Sequence, residues 1–127
     1  MRPIHLSMTA FGPFAGQEEI DFESFGESPL FLINGPTGSG KTTILDAICF
    51  ALYGKSTGDE RDGSHMRCDG AKLDTLTEVT FQFELADSIY RIRRSPEQER
   101  PKARGEGTTR QSAEAQLYKL LAGGEEE

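Results

Sequence analysis

Apolar and polar residues alternate along two stretches of this chain with the period of a half-buried strand. Over residues 4–10, Ile4, Leu6, Met8 and Ala10 fall on one side and His5, Ser7 and Thr9 on the other. Over residues 78–85 the pattern is clearer, with Val79, Phe81, Phe83 and Leu85 set against Glu78, Thr80, Gln82 and Glu84. Shorter patterns predict a strand at 18–22, with Ile20 and Phe22 on one face, and one at 89–94 as the hairpin partner of 78–85. In that partner Tyr90 and Ile92 oppose Arg91 and Arg93, or the register is shifted by one. The unbroken run Leu30-Phe31-Leu32-Ile33 suits a buried parallel strand ending at Asn34. Residues 43–53 are mostly apolar over about three turns, which predicts one central helix, and Gly54 suits its C-cap. Residues 113–121 are ambiguous, because Ala113, Leu117 and Leu121 also fit a helical stripe.

The connections carry their own signals. Phe11-Gly12-Pro13-Phe14-Ala15-Gly16 is turn chemistry, and residues 23–28 read as loop. Residues 55–76 are polar and without period, a length that points to a mobile or functional loop. Residues 95–112 are rich in Pro, Gly, Glu and Arg and read as an extended loop. The chain has no internal repeat. The fold class is α/β, with many antiparallel strands and one helix, in a single domain spanning residues 1–127.

Candidate chemistry lies between the apolar run and the helix. Gly35-Pro36-Thr37-Gly38-Ser39-Gly40-Lys41-Thr42 fits the pattern G-x-x-x-x-G-K-[ST] at every fixed position. Glycines let successive N–H groups turn inward around phosphate oxygens, and Lys41 reaches the β- and γ-phosphates as a point charge. The Thr42 hydroxyl can hold Mg²⁺, and the positive end of the following helix adds to the anion site. Thr43 adds a further N–H and hydroxyl. The order strand, loop, helix is the context this motif requires. The phosphate loop therefore spans residues 35–43, with ATP and Mg²⁺ as the implied ligands. Asp46 reads as a hydrogen-bonding partner within the helix, His5 as an exposed strand residue, and Cys49 as a small core residue.

Charge changes the picture only locally. The net charge is −7, which excludes a generally basic nucleic-acid-binding surface. Residues 91–110 hold Arg91, Arg93, Arg94, Arg100, Lys102, Arg104 and Arg110 against Glu97, Glu99 and Glu106, so that segment is +4 and the remainder −11. It suits DNA backbone or an acidic partner, and equally a solvated hairpin or loop. Two cysteines, Cys49 and Cys68, lack metal-ligand spacing. No apolar stretch has signal-peptide or membrane-spanning length, so the protein reads as soluble and cytoplasmic, with no membrane partner.

The residues resemble a known family. Phe11-Gly12-Pro13-Phe14, Ile20-Asp21-Phe22, the block from Leu32-Ile33-Asn34 through Thr43-Ile44-Leu45-Asp46-Ala47-Ile48, and Phe50-Ala51-Leu52-Tyr53-Gly54 are similar to the start of the bacterial SbcC family. Tyr90-Arg91-Ile92-Arg93-Arg94 and Ala115-Gln116-Leu117-Tyr118 extend the likeness over nearly the whole chain. The resemblance implies a P-loop NTPase fold: the N-terminal segment of an ABC-type, SMC-like ATPase head, with antiparallel strands around a central P-loop helix. It implies a C-terminal segment completing the head, a second head closing on ATP, an SbcD-like nuclease subunit and double-stranded DNA. It also places the base and ribose near His65, Met66 and Arg67.

The coiled coil, zinc hook, glutamine loop, signature and acidic catalytic strand of that family are absent here, so no catalytic residue is assigned within the chain. The expected function is the ATP-binding half of a DNA-end-processing ATPase acting in double-strand break repair, inactive by itself. A stand-alone small P-loop NTPase or kinase is the alternative, and a non-enzymatic binding module using residues 91–110 is the third reading.

Overall fold

A computed structural model of the chain describes residues 1–26, 32–36, 40–55 and 63–123. Strand β1 spans Arg2–Phe11 and β2 spans Phe14–Asp21, joined by a tight turn in which Gly12 takes φ 58°. A 3₁₀ turn follows at Phe22–Phe25, its start capped by Asp21, which accepts from the Glu23 N–H at 3.0 Å. Helix α1 spans Lys41–Tyr53 and ends, as its sequence predicts, on Gly54 in the left-handed conformation, with the Gly54 N–H bonded to the Phe50 carbonyl at 2.8 Å. Strands β3 (Glu78–Leu85) and β4 (Ser88–Ser95) form a hairpin. Its two-residue turn, Ala86 and Asp87, has both φ angles positive, the geometry that matches strand twist. Then come β5 (Gln98–Pro101), β6 (Thr108–Gln111) and β7 (Glu114–Leu120).

Five strands make one antiparallel sheet in the order β2-β1-β3-β4-β7, and β5 and β6 make a separate ribbon. The register lines up one apolar row across all five: Ile20, Leu6, Phe81, Ile92 and Leu117 are successive partners. In the middle of that row Leu6, Phe81 and Ile92 are buried, and α1 covers them with Ala47, Phe50 and Ala51. Burying one such side chain contributes about 1.5–3 kcal/mol. The Tyr90 and Ile92 side of β4 faces this core, with Tyr90 stacked on Phe83 at 5.8 Å.

Three expectations change. The described part of the strand expected at residues 30–34 joins no ladder: 32–34 lie outside every strand and Leu32 is 88% exposed. A strand needs a ladder, and among the described residues 32–34 pair with neither edge strand, β2 or β7. Leu30 and Phe31 lie outside the described residues. The segment 95–112 is not all loop, since β5 and β6 pair from Gln98↔Gln111 to Pro101↔Thr108. The ambiguous stretch near 113–121 is the edge strand β7.

Candidate functional site

Of the expected phosphate loop, Gly35, Pro36, Gly40, Lys41, Thr42 and Thr43 are described, while Thr37, Gly38 and Ser39 lie outside the described residues. The helix starts at Lys41, two residues earlier than its apolar pattern indicates. Gly40 stands at its N-cap in the left-handed conformation with φ 94° and supplies no side-chain cap. A side chain there would strike the Phe14 ring, which lies 2.6 Å from the position of a Cβ, so glycine is required by both backbone and space. The first bond within the helix runs from the Ile44 N–H to the Gly40 carbonyl at 3.3 Å, and the N–H groups before it point out of the helix end. Lys41, half-buried, turns its amine back to donate to the Gly35 carbonyl, which closes the loop on itself. Thr42 is exposed and Thr43 half-buried.

The β1–β2 turn presses on this helix start. A Cβ at Gly12 would lie 2.6 Å from Thr43 Cγ2, so the turn and the first helical turn approach closely through a glycine. At the other end of α1, Arg94 of β4 donates from Nε to the Ala51 carbonyl at 2.9 Å.

A cleft of about 1010 Å³ opens beside the helix start, bordered by Gly12, Thr43 and Asp46 on one side and by residues of the 65–73 segment on the other. Asp46 is 8% exposed and already has a partner within the protein, in keeping with its reading as a helix residue. Met66 borders the cleft but is buried in the core cluster, and its carbonyl accepts from the Gly12 N–H of the β1–β2 turn at 2.6 Å. Arg67 borders the cleft with its guanidinium donated to four oxygens: Thr75 O at 2.7 Å, Lys72 O at 2.9 Å, Thr77 Oγ1 at 3.1 Å and Gln98 Oε1 at 3.3 Å. The described part of the expected mobile loop is therefore pinned, with Arg67 bridged to Phe11 and the Cys68 N–H bonded to the Ala10 carbonyl at 2.8 Å. Residues 56–62 lie outside the described residues. Gln98 and Thr77, both buried, were not singled out by the sequence; nothing in a run of Glu, Arg and Pro marks one glutamine as internal.

The basic segment divides. Arg93 pairs with Glu78 at 2.7 Å, and that hydrogen bond and charge hold its pKa above the ordinary arginine value. Arg110 pairs with Glu97, Arg94 serves the helix, and Arg91 also has a partner. Arg100, Lys102 and Arg104 are exposed on the ribbon and its tip, and no side-chain partner is seen for them among the described residues.

Comparison with known proteins places these features in a family. A family model described as AAA domain matches residues 5–125. The C subunit of the nuclease SbcCD from Vibrio cholerae serotype O1 is 60% identical over 99% of the chain, that from Lactococcus lactis subsp. lactis 50% identical over 92%, and that from Staphylococcus aureus strain MRSA252 38% identical over 97%. The chain spans 12%, 11% and 12% of the lengths of these relatives.

Proposed function

The chain belongs to the AAA domain family, and from that premise we propose that it is the ATP-binding half of an ABC-type ATPase head of the SbcC kind. The observation that carries the reading is Lys41. Its amine folds back to the Gly35 carbonyl at the start of a helix that has no side-chain cap, so a cation and outward N–H groups converge where the sequence has the phosphate pattern.

This donor set fits ATP with Mg²⁺. Main-chain N–H groups of residues 37–43 and the Lys41 amine would hold phosphate oxygens, within a loop that begins at Gly35 and Pro36. The exposed Thr42 hydroxyl would reach Mg²⁺, and Thr43 a phosphate oxygen. The cleft beside Thr43 would take the base and ribose, with Met66 and Arg67 at its border. When bound, the metal neutralises phosphate charge. The groups that position an attacking water are assigned to other segments of the head.

The surroundings support an incomplete head. Helix α1 is apolar on most sides, which calls for cover on more than one face. One face lies on the sheet, but Leu45 is 52% and Tyr53 73% exposed, and with Cys49 they form an i, i+4, i+8 stripe. We assign this stripe and the exposed Leu32 to the docking of a C-terminal segment of the same ATPase. A second head, an SbcD-like nuclease subunit and double-stranded DNA are the further partners of this reading, supported by the names of the relatives and by the three ribbon cations. The proposed setting is DNA-end processing in double-strand break repair, in the cytoplasm; among the described residues no helix is long and apolar enough to cross a membrane.

The test is a nucleotide titration. Charge-assisted hydrogen bonds contribute about 1.5–3 kcal/mol, so Lys41→Ala is expected to weaken ATP binding at least about tenfold. Equal affinities in the two proteins, with the fold intact by circular dichroism, overturn the assignment.

A further inference from the structure

Gln98 stands at the base of the basic ribbon, yet its side chain is buried against a different part of the chain. Its amide acts as an added strand would: Oε1 accepts from the Thr77 N–H at 2.8 Å and Nε2 donates to the Thr77 carbonyl at 2.9 Å. Oε1 also accepts from Arg67 Nη1 at 3.3 Å. Among the described residues the four acceptors around the Arg67 guanidinium, at the border of the cleft, are neutral oxygens. From Thr77 the network continues through Oγ1 to the Ala10 carbonyl at 2.9 Å, and Ala10 precedes the turn whose Gly12 abuts Thr43. Hydrogen-bonded groups thus run from the ribbon to the β1–β2 turn, which in turn lies close against the start of α1. Networks of this kind are costly to leave half-paired.

We propose that Gln98 is a positioning residue: through Arg67 and Thr77 it holds the 65–73 wall of the cleft against the helix start, and nucleotide affinity depends on that hold. This rests on the reading of the helix start as a nucleoside triphosphate site. Gln98 touches no ligand in this scheme and acts only through the residues it pairs.

The experiment reads two quantities in the full chain, amide hydrogen exchange and affinity for ATP with Mg²⁺. Gln98→Met keeps the length and volume of the side chain but removes all three hydrogen bonds, whereas Gln98→Glu keeps an acceptor for Arg67 and the Thr77 N–H. Gln98→Met is expected to exchange faster at the Gly12 and Cys68 N–H groups and to bind ATP about fivefold more weakly, with Gln98→Glu recovering part of that loss, because its carboxylate keeps the two accepted bonds but cannot donate to the Thr77 carbonyl. If Gln98→Met does not fold, Gln98→Ser, which leaves room for water at Thr77, supplies the same readings. Unchanged exchange at both amides overturns the proposal. Faster exchange with unchanged affinity, in a protein whose ATP binding depends on Lys41, overturns it as well, because Gln98 is then only structural. ATP binding that is absent or indifferent to Lys41 sinks the nucleotide reading instead; faster exchange then still supports the hold of Gln98 on the wall.

Discussion

Arg94 on β4 donates to the carbonyl of Ala51 at 2.9 Å, so a sheet residue closes the C-terminal end of the helix whose N-terminal end carries Lys41. The last carbonyls of a helix lack partners within it and carry partial negative charge, which a guanidinium satisfies on both counts. Arg94 is also close to Gly54, where a Cβ would meet its Nη1 at 3.1 Å. The helix is thereby fixed to the sheet at one end by a cation and at the other by the close approach of Gly12 to Thr43.

Removing that cation is expected to destabilise the fold. Arg94→Ala takes away a charged hydrogen bond at a partly buried carbonyl, a loss of about 1–2 kcal/mol. Arg94→Lys keeps the charge and is expected to recover part of it. The measurement is the urea midpoint of the three proteins; a common midpoint would mean that Gly54 alone is enough to end the helix.

Local features were legible in the sequence and pairwise ones were not. The alternation at Val79, Phe81 and Phe83 has period 2 and marks β3 to the residue, and Gly54 marks the helix end because only the left-handed conformation is needed there. The glycine at the helix start was legible for the same reason, since Gly40 takes the left-handed conformation there. By contrast Leu32 and Ile33 look like a strand, but a ladder depends on a neighbour that one stretch of sequence cannot specify. The ribbon was hidden because most of β5 and β6 is exposed, so no apolar alternation betrays it. Met66 and Gln98 are buried by what the chain brings from far away, Gln98 by Thr77 twenty-one positions earlier.

The role proposed for Thr42 predicts a dependence on metal. Mg²⁺ binds through few protein oxygens together with phosphate oxygens and water. Thr42→Ala is expected to lower ATP affinity in the presence of Mg²⁺ by about tenfold while leaving the metal-free affinity within about twofold, since one charge-assisted interaction is near 1.4 kcal/mol. Titrations with Mg²⁺ and with a chelator decide it. Equal weakening under both conditions would assign the hydroxyl to phosphate rather than to the metal.

The ribbon predicts a salt effect confined to three residues. Arg93, Arg94 and Arg110 are already engaged within the chain, which leaves Arg100, Lys102 and Arg104 to meet a polyanion. Each duplex phosphate that the protein no longer neutralises lowers the salt slope by about 0.9. Replacing all three by Ala in the assembled head is expected to flatten the slope of binding by about 2 to 3, whereas Arg93→Ala leaves it unchanged. A slope that does not move identifies the ribbon as a solvated hairpin.

Completeness is the last expectation. Hydrolysis of a nucleoside triphosphate requires, besides a phosphate cradle, groups that orient the attacking water. The residues that border the cleft include Asp46, but it is largely buried and already has a partner. Leu45 and Tyr53 on the same helix are meanwhile exposed, with Cys49 half-buried between them, and among the described residues β2 and β7 leave the sheet with two open edges. Both features fit a structure finished by another segment. The chain alone is therefore expected to bind ATP without turning it over, and a separately expressed C-terminal segment is expected to raise both its melting temperature and its ATPase rate. Leu45→Asp, a charge placed in the stripe, is expected to abolish both gains while ATP binding by the chain alone stays within about twofold, because the substitution lies on the exposed face of α1. Steady hydrolysis by a monomer of this chain, unaffected by the added segment, would replace the half-head by a small self-sufficient NTPase.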